Sequence, residues 1–589
     1  MRNGFLKFSV MLSIVCVASS YAQEHHWRNT YWLDVPVDTS AKPPEDDENR
    51  AIGKQIYMTK CYFCHGDAGD AKGRSNVERM DPRPRDFTSG KFKFKTVPGD
   101  KAPTDEDLYR TITRGVVGTA MPFWSFPGQT SGWENYKYLL TPKERWQVIY
   151  HIKTLSVKFE PGLQRGIANL ENQIAEEEAS KVKKKLEKKL KVFKKRLKNF
   201  DSDLEKYPPL QIGPGPQVTP ALIEEGQNLF AAVAECAKCH GVESRGDAME
   251  RKDDDWGFPI VAQNLTRAIN FKEGNGIREI FRTISTGLNG SPMPSTIGMF
   301  SKDTSEDERQ RWAIAAYVNQ LSQTSHPDVD PSKTVLTAKN VQEDLPLDPN
   351  DEAWKSADII DVPLTGQVMV KPRQWWPTIN YVTVRALYNE KEVAIHLSWD
   401  DRTKSATPAD PEKKTYPDAV HVQFPTRIPN SPEKPHFFLG DSGKPVNLWH
   451  FQADWQEDQS RKSPIEERTS SGSRRPAKPH AAESQLANGK GVFSNGQWKV
   501  VITRPLTTED TKKDIQFVAG KLIPISFVVY DGSNEDTFTK GCISTWYYLV
   551  LETETPVTVY LWALGAVLIA SGIEIWMVKK AKESNSLGK

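Results

Sequence analysis

Two stretches of this chain place two cysteines and a histidine in the order Cys-x-x-Cys-His: Cys61-Tyr-Phe-Cys64-His65 and Cys236-Ala-Lys-Cys239-His240. That spacing suits c-type haem attachment, in which the thiols form thioethers with the haem vinyl groups and the adjacent imidazole binds the iron. The sixth ligand must then come from downstream. Each motif is followed at nearly the same distance by Met-Pro, Met121-Pro122 and Met293-Pro294. A His/Met pair holds iron at a raised reduction potential suited to electron transfer. The candidate axial ligands are therefore His65 with Met121 and His240 with Met293, and Cys61, Cys64, Cys236 and Cys239 are the covalent anchors. Taken alone, a Cys-x-x-Cys also fits a zinc half-site or a redox dithiol, and a lone Met is usually core filling.

An internal repeat favours the haem reading. Arg110-Thr-Ile-Thr-Arg-Gly115-Val-Val-Gly118-Thr-Ala-Met121-Pro122 aligns without a gap on Arg282-Thr-Ile-Ser-Thr-Gly287-Leu-Asn-Gly290-Ser-Pro-Met293-Pro294. Trp146 to Leu155 matches Trp312 to Leu321, each an amphipathic closing helix, and Gly53 and Gly226 are expected to begin the helices that run into the two motifs. The matched segments resemble class I cytochrome c domains, small helical folds around one haem, over residues 45–160 and 217–325. With both Met-Pro positions available as ligands, a dihaem peroxidase with an open iron is disfavoured.

The elements around these motifs imply several domains, as 589 residues with 38% hydrophobic and 26% charged content predict. Arg2, Lys7 and the apolar run Phe8 to Ala18, closing at Ser20-Tyr21-Ala22, have the layout of a signal peptide over 1–22, with a retained anchor as the alternative. Cys16 would leave with it, so beyond the haem motifs only Cys542 remains and no disulfide framework is available. Residues 163–206 carry apolar side chains at steps of three and four on a highly charged background, a helical or coiled-coil segment that is either one rod or a hairpin broken near Ala179. Its basic stretch, Lys181 to Lys198, reads as a solvated spacer or docking surface; with an exported chain, nucleic acid is not an expected partner. Residues 557–578 are apolar and long enough to span a bilayer, and Lys579, Lys580 and Lys582 follow. That predicts a single-pass protein of the cytoplasmic membrane with its haem domains on the periplasmic face and its C-terminus in the cytoplasm. Glu574, one turn from those lysines, is expected to pair or snorkel.

From 351 to 554 short alternating runs such as Val393-Ala-Ile-His-Leu-Ser-Trp399 and Ile525-Ser-Phe-Val-Val-Tyr530 predict an antiparallel β-sandwich, with 457–488 as its least ordered loop. Trp354, Leu397-Ser-Trp399-Asp400-Asp401, Tyr416-Pro-Asp418, Leu439-Gly440-Asp441, Pro445-Val-Asn-Leu-Trp449 and Tyr530-Asp-Gly532 resemble, in that order, the ethylbenzene-dehydrogenase-type haem-binding domain. That family supplies the γ subunits of type II enzymes of the dimethyl sulfoxide reductase class, nitrite oxidoreductases among them. The resemblance implies a non-covalent haem b held between a Met and a Lys, and partnership with a molybdenum catalytic subunit and an iron–sulfur subunit. Lys540 matches the Lys position. Leu439 stands where the family has its Met, leaving His436 as a substitute ligand, with His421 and His450 as others, or else a β domain that keeps only a docking role. The fold class expected is thus two all-α cytochrome c domains, a charged helical segment, an all-β sandwich and one C-terminal transmembrane helix. The function expected is a multihaem electron-transfer subunit, not itself an enzyme, relaying electrons between an exported molybdenum oxidoreductase and cytochrome c or another respiratory-chain component. A stand-alone membrane dihaem cytochrome, working between a quinol-oxidising complex and a terminal oxidase or soluble carrier, is the alternative.

Overall fold

The computed structural model describes residues 31–553, apart from 76–79, 81, 125–138, 201–205, 234–235, 249–251, 325–332 and 430–432, together with 571–572 and 574–577. The expected signal peptide over 1–22 lies outside the described residues. The expected C-terminal transmembrane helix is not supported: among the described residues no helix is long and apolar enough to cross a membrane. Of 557–578, only 571–572 and 574–577 are described, as exposed helix. The length of an apolar run gives the capacity to span a bilayer, not the helix itself. The fold class is corrected accordingly, and the single-pass localisation falls with the helix. The chain divides into two compact units, one ending at Asp328 and the other beginning at Val329, with 401–403 grouping with the first.

In the first unit the two haem motifs sit in one repeated helix order. α1 (Asp47–Lys60) runs into the single turn α2 (Tyr62–His65), and α3 (Asp105–Arg114) and α4 (Pro142–Leu155) follow. A hairpin of α5 (Glu160–Glu176) and α6 (Ser180–Lys198) precedes the second copy, α7 (Pro220–Asn228), α8 (Ala237–His240), α9 (Ile277–Thr286) and α10 (Thr304–Thr324). Asp46, Thr104, Thr141 and Thr219 each accept a hydrogen bond from a backbone N–H in the first turn of α1, α3, α4 and α7. This satisfies donors that a helix start leaves unpaired. Gly53 and Gly226 lie inside α1 and α7, where backbones cross, and not at helix starts. A Cβ on Gly53 would fall 1.8 Å from the Gln147 carbonyl oxygen on α4, and one on Gly226 2.0 Å from that of Ala313 on α10. The cores repeat as well. Tyr109 packs on Trp146 with ring centroids 4.4 Å apart, and Phe281 stacks on Trp312 at 3.8 Å. Arg145 donates to Thr113 Oγ1 at 2.6 Å, and Arg311 to Ser285 Oγ at 2.6 Å.

The charged segment is a hairpin and not a rod. α5 ends at Glu176, before Ala179, and α6 returns against it, with Lys194 Nζ 2.7 Å from Glu171 Oε1 and Phe193 against Gly166. α6 buries no residue.

The second unit begins earlier than the sequence suggests, at β1 (Val335–Asn340). β2 (Ile359–Pro363), β3 (Tyr381–Tyr388), β4 (Glu392–Asp400), β5 (Ala419–Pro425), β6 (Val446–Gln452), β7 (Ile465–Ser470), β8 (Asn488–Ser494), β9 (Gln497–Pro505), β10 (Ile523–Tyr530) and β11 (Tyr547–Leu551) follow. Hydrogen bonding runs β7-β6-β5-β10-β11-β1-β3-β4-β9-β8, with β2 on β3. The pairs β11–β1 and β1–β3 are parallel, a departure from the expected antiparallel sheet. Val420, Val422 and Phe424 of β5 share one core with Ile395, Leu397 and Trp399 of β4, so the two halves of the path close over each other as a sandwich. β7 lies in the stretch 457–488 that reads as a loop. Its polarity is a buried ion pair: Glu467 and Arg504 are both 0% exposed, and Glu467 Oε1 accepts from the Leu486 and Ala487 N–H groups.

His396 on β4 donates through Nε2 to the Pro349 carbonyl at 3.0 Å, and burial pulls its pKa down to about 4. The unfolded chain takes up a proton near pH 6.5 and the folded chain does not until about 4, so stability is lost as pH falls through that window. The expected loss is on the order of 3 kcal/mol from this group. Thermal melting of the β unit across pH 7 to 4 checks it, and H396Q should remove this group's share of the dependence while His421 and His450, also lowered by burial, keep theirs.

Candidate functional site

Burial, a carbonyl and an aromatic ring fix each motif histidine. His65 Nδ1 lies 3.0 Å from the Arg85 carbonyl oxygen and its ring stacks on Phe87 at 4.4 Å, while His240 Nδ1 lies 2.8 Å from the Gln263 carbonyl oxygen. A carbonyl only accepts, so Nδ1 carries the proton in both and Nε2 keeps the lone pair that a metal requires. Burial lowers both pKa values, which favours the neutral ring. None of the four thiols forms a disulfide. Burial pushes the Cys61 thiol up to about 12 and the Cys236 thiol up to about 11. Among the described residues, no group positioned to hold a metal ion contains any of the four. This donor set fits a covalent haem.

The two methionine loops are near copies. Gly115 and Gly287 end α3 and α9 at φ of 68° and 69°, a region open to glycine. Val116 N–H then donates to the Met121 carbonyl and Leu288 N–H to the Met293 carbonyl, each at 3.1 Å. Met293 packs against the core that holds Cys236. Met121 is half-buried, and its loop reaches the core beside Cys61 through Trp124.

The two cytochrome-type domains meet through reciprocal arginine-to-carbonyl bonds. Arg282 Nη1 donates to the Lys95 carbonyl at 3.0 Å, and Arg114 Nη1 donates to the Lys272 carbonyl at 2.6 Å. Both acceptors belong to a Phe-Lys pair, Phe94-Lys95 and Phe271-Lys272. Arg110 and Arg282, the first residues of the aligned blocks, both lie over the Trp32 ring, at 5.5 and 4.9 Å. Trp32 is 1% exposed; its Nε1–H donates to Thr111 Oγ1 and its backbone N–H to the Glu273 carbonyl. The seam also links the candidate sites directly. Arg85, whose carbonyl holds His65, lies 4.7 Å over Trp256, and a Cβ on Gly290 of the Met293 loop would fall 2.4 Å from the Trp256 ring. Sequence reading missed these contacts, although Arg110 and Arg282 already stood out as aligned positions.

In the β unit the candidate ligands Lys540 and His436 make separate sets of contacts. Lys540 Nζ donates to the Asn534 and Glu535 carbonyls at 2.7 and 3.0 Å and lies 3.7 Å from Asp536 Oδ1. His436 stacks on Phe437, and its Nδ1 accepts the Phe438 N–H at 3.1 Å. No described hydrogen bond or ring contact joins His436 to Lys540. Leu439 is buried in an apolar cluster with Phe438, Leu448 and Tyr530 and offers no donor atom. His421 and His450 face each other in register on β5 and β6, with ring centroids 4.3 Å apart.

Comparison with known proteins agrees with this geometry. A cytochrome c family model matches 51–156 and 223–322, and an ethylbenzene dehydrogenase model matches 351–478. A Haloferax mediterranei protein named as a respiratory nitrate reductase heme subunit (ORF7) is 26% identical over 218 residues, which cover 37% of this chain and 73% of that one. The chlorate reductase subunit gamma of Ideonella dechloratans is 22% identical over 244 residues, covering 40% and 93%. Among solved structures, the Kuenenia stuttgartiensis reducing HAO-like protein complex Kustc0457/Kustc0458 gives 31% identity over 48% of this chain and 99% of its own, with a TM-score of 0.34. The chain thus joins cytochrome c domains to an ethylbenzene dehydrogenase-type domain, and its relatives include proteins named as haem and gamma subunits of reductases.

Proposed function

We propose that this chain carries two covalent haems, one on Cys61, Cys64, His65 and Met121 and one on Cys236, Cys239, His240 and Met293, and relays electrons for a molybdenum oxidoreductase. The observation that carries the reading is the twofold occurrence of one donor arrangement: a buried imidazole with Nδ1 tied to a carbonyl, a Cys-x-x-Cys pair directly before it and a glycine-hinged Met loop. A bound haem supplies reversible one-electron chemistry at its iron. The chain's own residues hold the imidazoles in one tautomer, bury the ligand side chains and keep the two domains in a fixed relation through Trp32 and Trp256. The named relatives support a catalytic partner of the nitrate or chlorate reductase kind, and within that class a nitrite oxidoreductase-like partner is the reading favoured here. An iron–sulfur subunit is then the neighbour on one side and cytochrome c or another respiratory carrier on the other.

Purification of the native chain under mild conditions tests this. Stoichiometric recovery of a large molybdenum subunit and an iron–sulfur subunit is the expected outcome. A haem-loaded chain that elutes alone under the same conditions contradicts it and favours a stand-alone dihaem carrier.

A further inference from the structure

The surroundings of the two haem motifs match closely, and one charge breaks the match. The glycine after each motif histidine faces a carboxylate: a Cβ on Gly66 would meet Asp70 Oδ1, and one on Gly241 would meet Asp247 Oδ1. Each Met loop faces a cation of the other domain. A Cβ on Gly118 would fall 3.7 Å from Lys272 Nζ, and one on Gly290 3.0 Å from Arg85 Nη1. The segments that hold the imidazoles also fold alike. Phe87 N–H donates to the Gly69 carbonyl at 2.7 Å and Leu265 N–H to the Ser244 carbonyl at 2.8 Å. Thr88 then donates to Asp86 as Thr266 does to Asn264. Within this shared frame Arg85 supplies the carbonyl for His65, where Gln263 supplies it for His240.

Arg85 is held as a cation behind His65 by the second domain. Its guanidinium lies 4.7 Å over Trp256, in a short hairpin that pairs Lys252–Asp253 with Pro259–Ile260. The hairpin grips the first domain at three further points. Arg83 lies 3.6 Å over the Phe258 ring, Trp256 Nε1 donates to Asp86 Oδ2 at 3.3 Å, and Asp255 pairs with Lys91. Desolvation pulls the Arg85 pKa down to about 10, which leaves it charged at neutral pH, and Asp254, Asp86 and Asp255 favour that charge. Among the described residues, Arg85 is the one charge that acts on His65. None acts on His240, although Arg245 and Asp247 follow it closely. Gln263 is neutral and turns its Nε2 to the Asn270 carbonyl.

A ferrous haem carries one positive charge fewer than a ferric one, so a nearby cation favours the reduced form, and the more so where water is excluded. The Met sides each have one cation and offset each other, so the difference between the domains rests on the His side. We propose that Arg85 gives the haem on His65 the higher potential of the two, so that an electron shared between the domains settles on the first and downhill transfer runs from the second domain to the first. Arg85 acts through His65 and is a positioning residue. This rests on the two-haem reading above.

The test is a potentiometric titration of the full haem-loaded chain, its two waves assigned with C61S/C64S and C236S/C239S, each of which keeps one haem. In wild type the first haem should have the higher potential. R85Q, which copies the second domain, should lower the first wave by about a tenfold change in its equilibrium, the scale of a unit charge acting through a partly desolvated interior, or ~59 mV for one electron. The second wave should move less. R85K, which keeps the charge, should keep most of the gap, and the low-spin His/Met bands should survive in both variants, which separates a lost charge from a lost ligand. If R85Q does not load haem, the wild-type order still decides. Equal or inverted potentials in wild type overturn the proposal, as do a first wave left in place by R85Q and a first wave that R85K lowers as far as R85Q. A chain with fewer than two covalent haems is a different result, which overturns the two-haem reading itself.

Discussion

Alanine at Met293 is expected to leave the second haem attached through Cys236 and Cys239, to lower its potential and to open its iron to carbon monoxide. The thioether anchors and His240 sit on α8 and just before it, away from the loop that carries Met293, so attachment does not depend on that side chain. The loop is held by Gly287, Gly290 and the Leu288 to Met293 hydrogen bond, all of which survive the substitution. Axial ligands set haem potentials over a range of ~0.8 V, so the shift should be on the order of hundreds of millivolts. M121A should do the same to the first haem. A potentiometric titration should then show one wave displaced and the other nearly in place. Unchanged carbon monoxide binding in both variants would rule out the methionine assignment.

Trp32 is the second position where a large effect is expected. Replacing it by alanine empties a buried indole's volume between α3 and α9, removes the ring under both Arg110 and Arg282, and leaves Thr111 without its indole donor. Truncation of a buried Trp costs about 3–5 kcal/mol. The loss should fall on the seam rather than on either domain core, since Trp146 and Trp312 hold the separate cores. The expected result is a chain that keeps both covalent haems and shows a lowered first melting transition. Electron exchange between the haems should also slow, as pulse radiolysis can follow. W32F, which keeps a ring for the two arginines, should recover most of both losses.

Much of the candidate site is legible in the sequence because covalent haem chemistry writes itself locally. Cys61, Cys64 and His65 must be neighbours to reach one porphyrin, and the Met121 loop needs glycines at fixed offsets, so the repeat carries both. The seam is not legible in the same way. Arg114 and Arg282 bond carbonyl groups, which every residue has, and the Trp32 ring meets Thr111, Arg110 and Arg282, all far from it in sequence. Gly53 and Gly226 show the difference between residue type and role: glycine suggested helix starts, whereas close backbone crossing is what requires it. In the β unit the stretch 457–488 read as loop because Glu467 looks like a surface residue, until Arg504 on a distant strand is seen to bury it. The spanning helix expected over 557–578 is not supported among the described residues, which include only 571–572 and 574–577 of that segment.

Covalent haem content tests the central claim most directly. Intact-mass analysis of the extracted, denatured full chain, alongside its pyridine haemochrome spectrum, is predicted to show a mass increment of two haems with c-type absorption. The paired variants C61S/C64S and C236S/C239S should each remove one haem. A chain carrying no covalent haem, or one whose haem survives both cysteine pairs' replacement, would contradict the account.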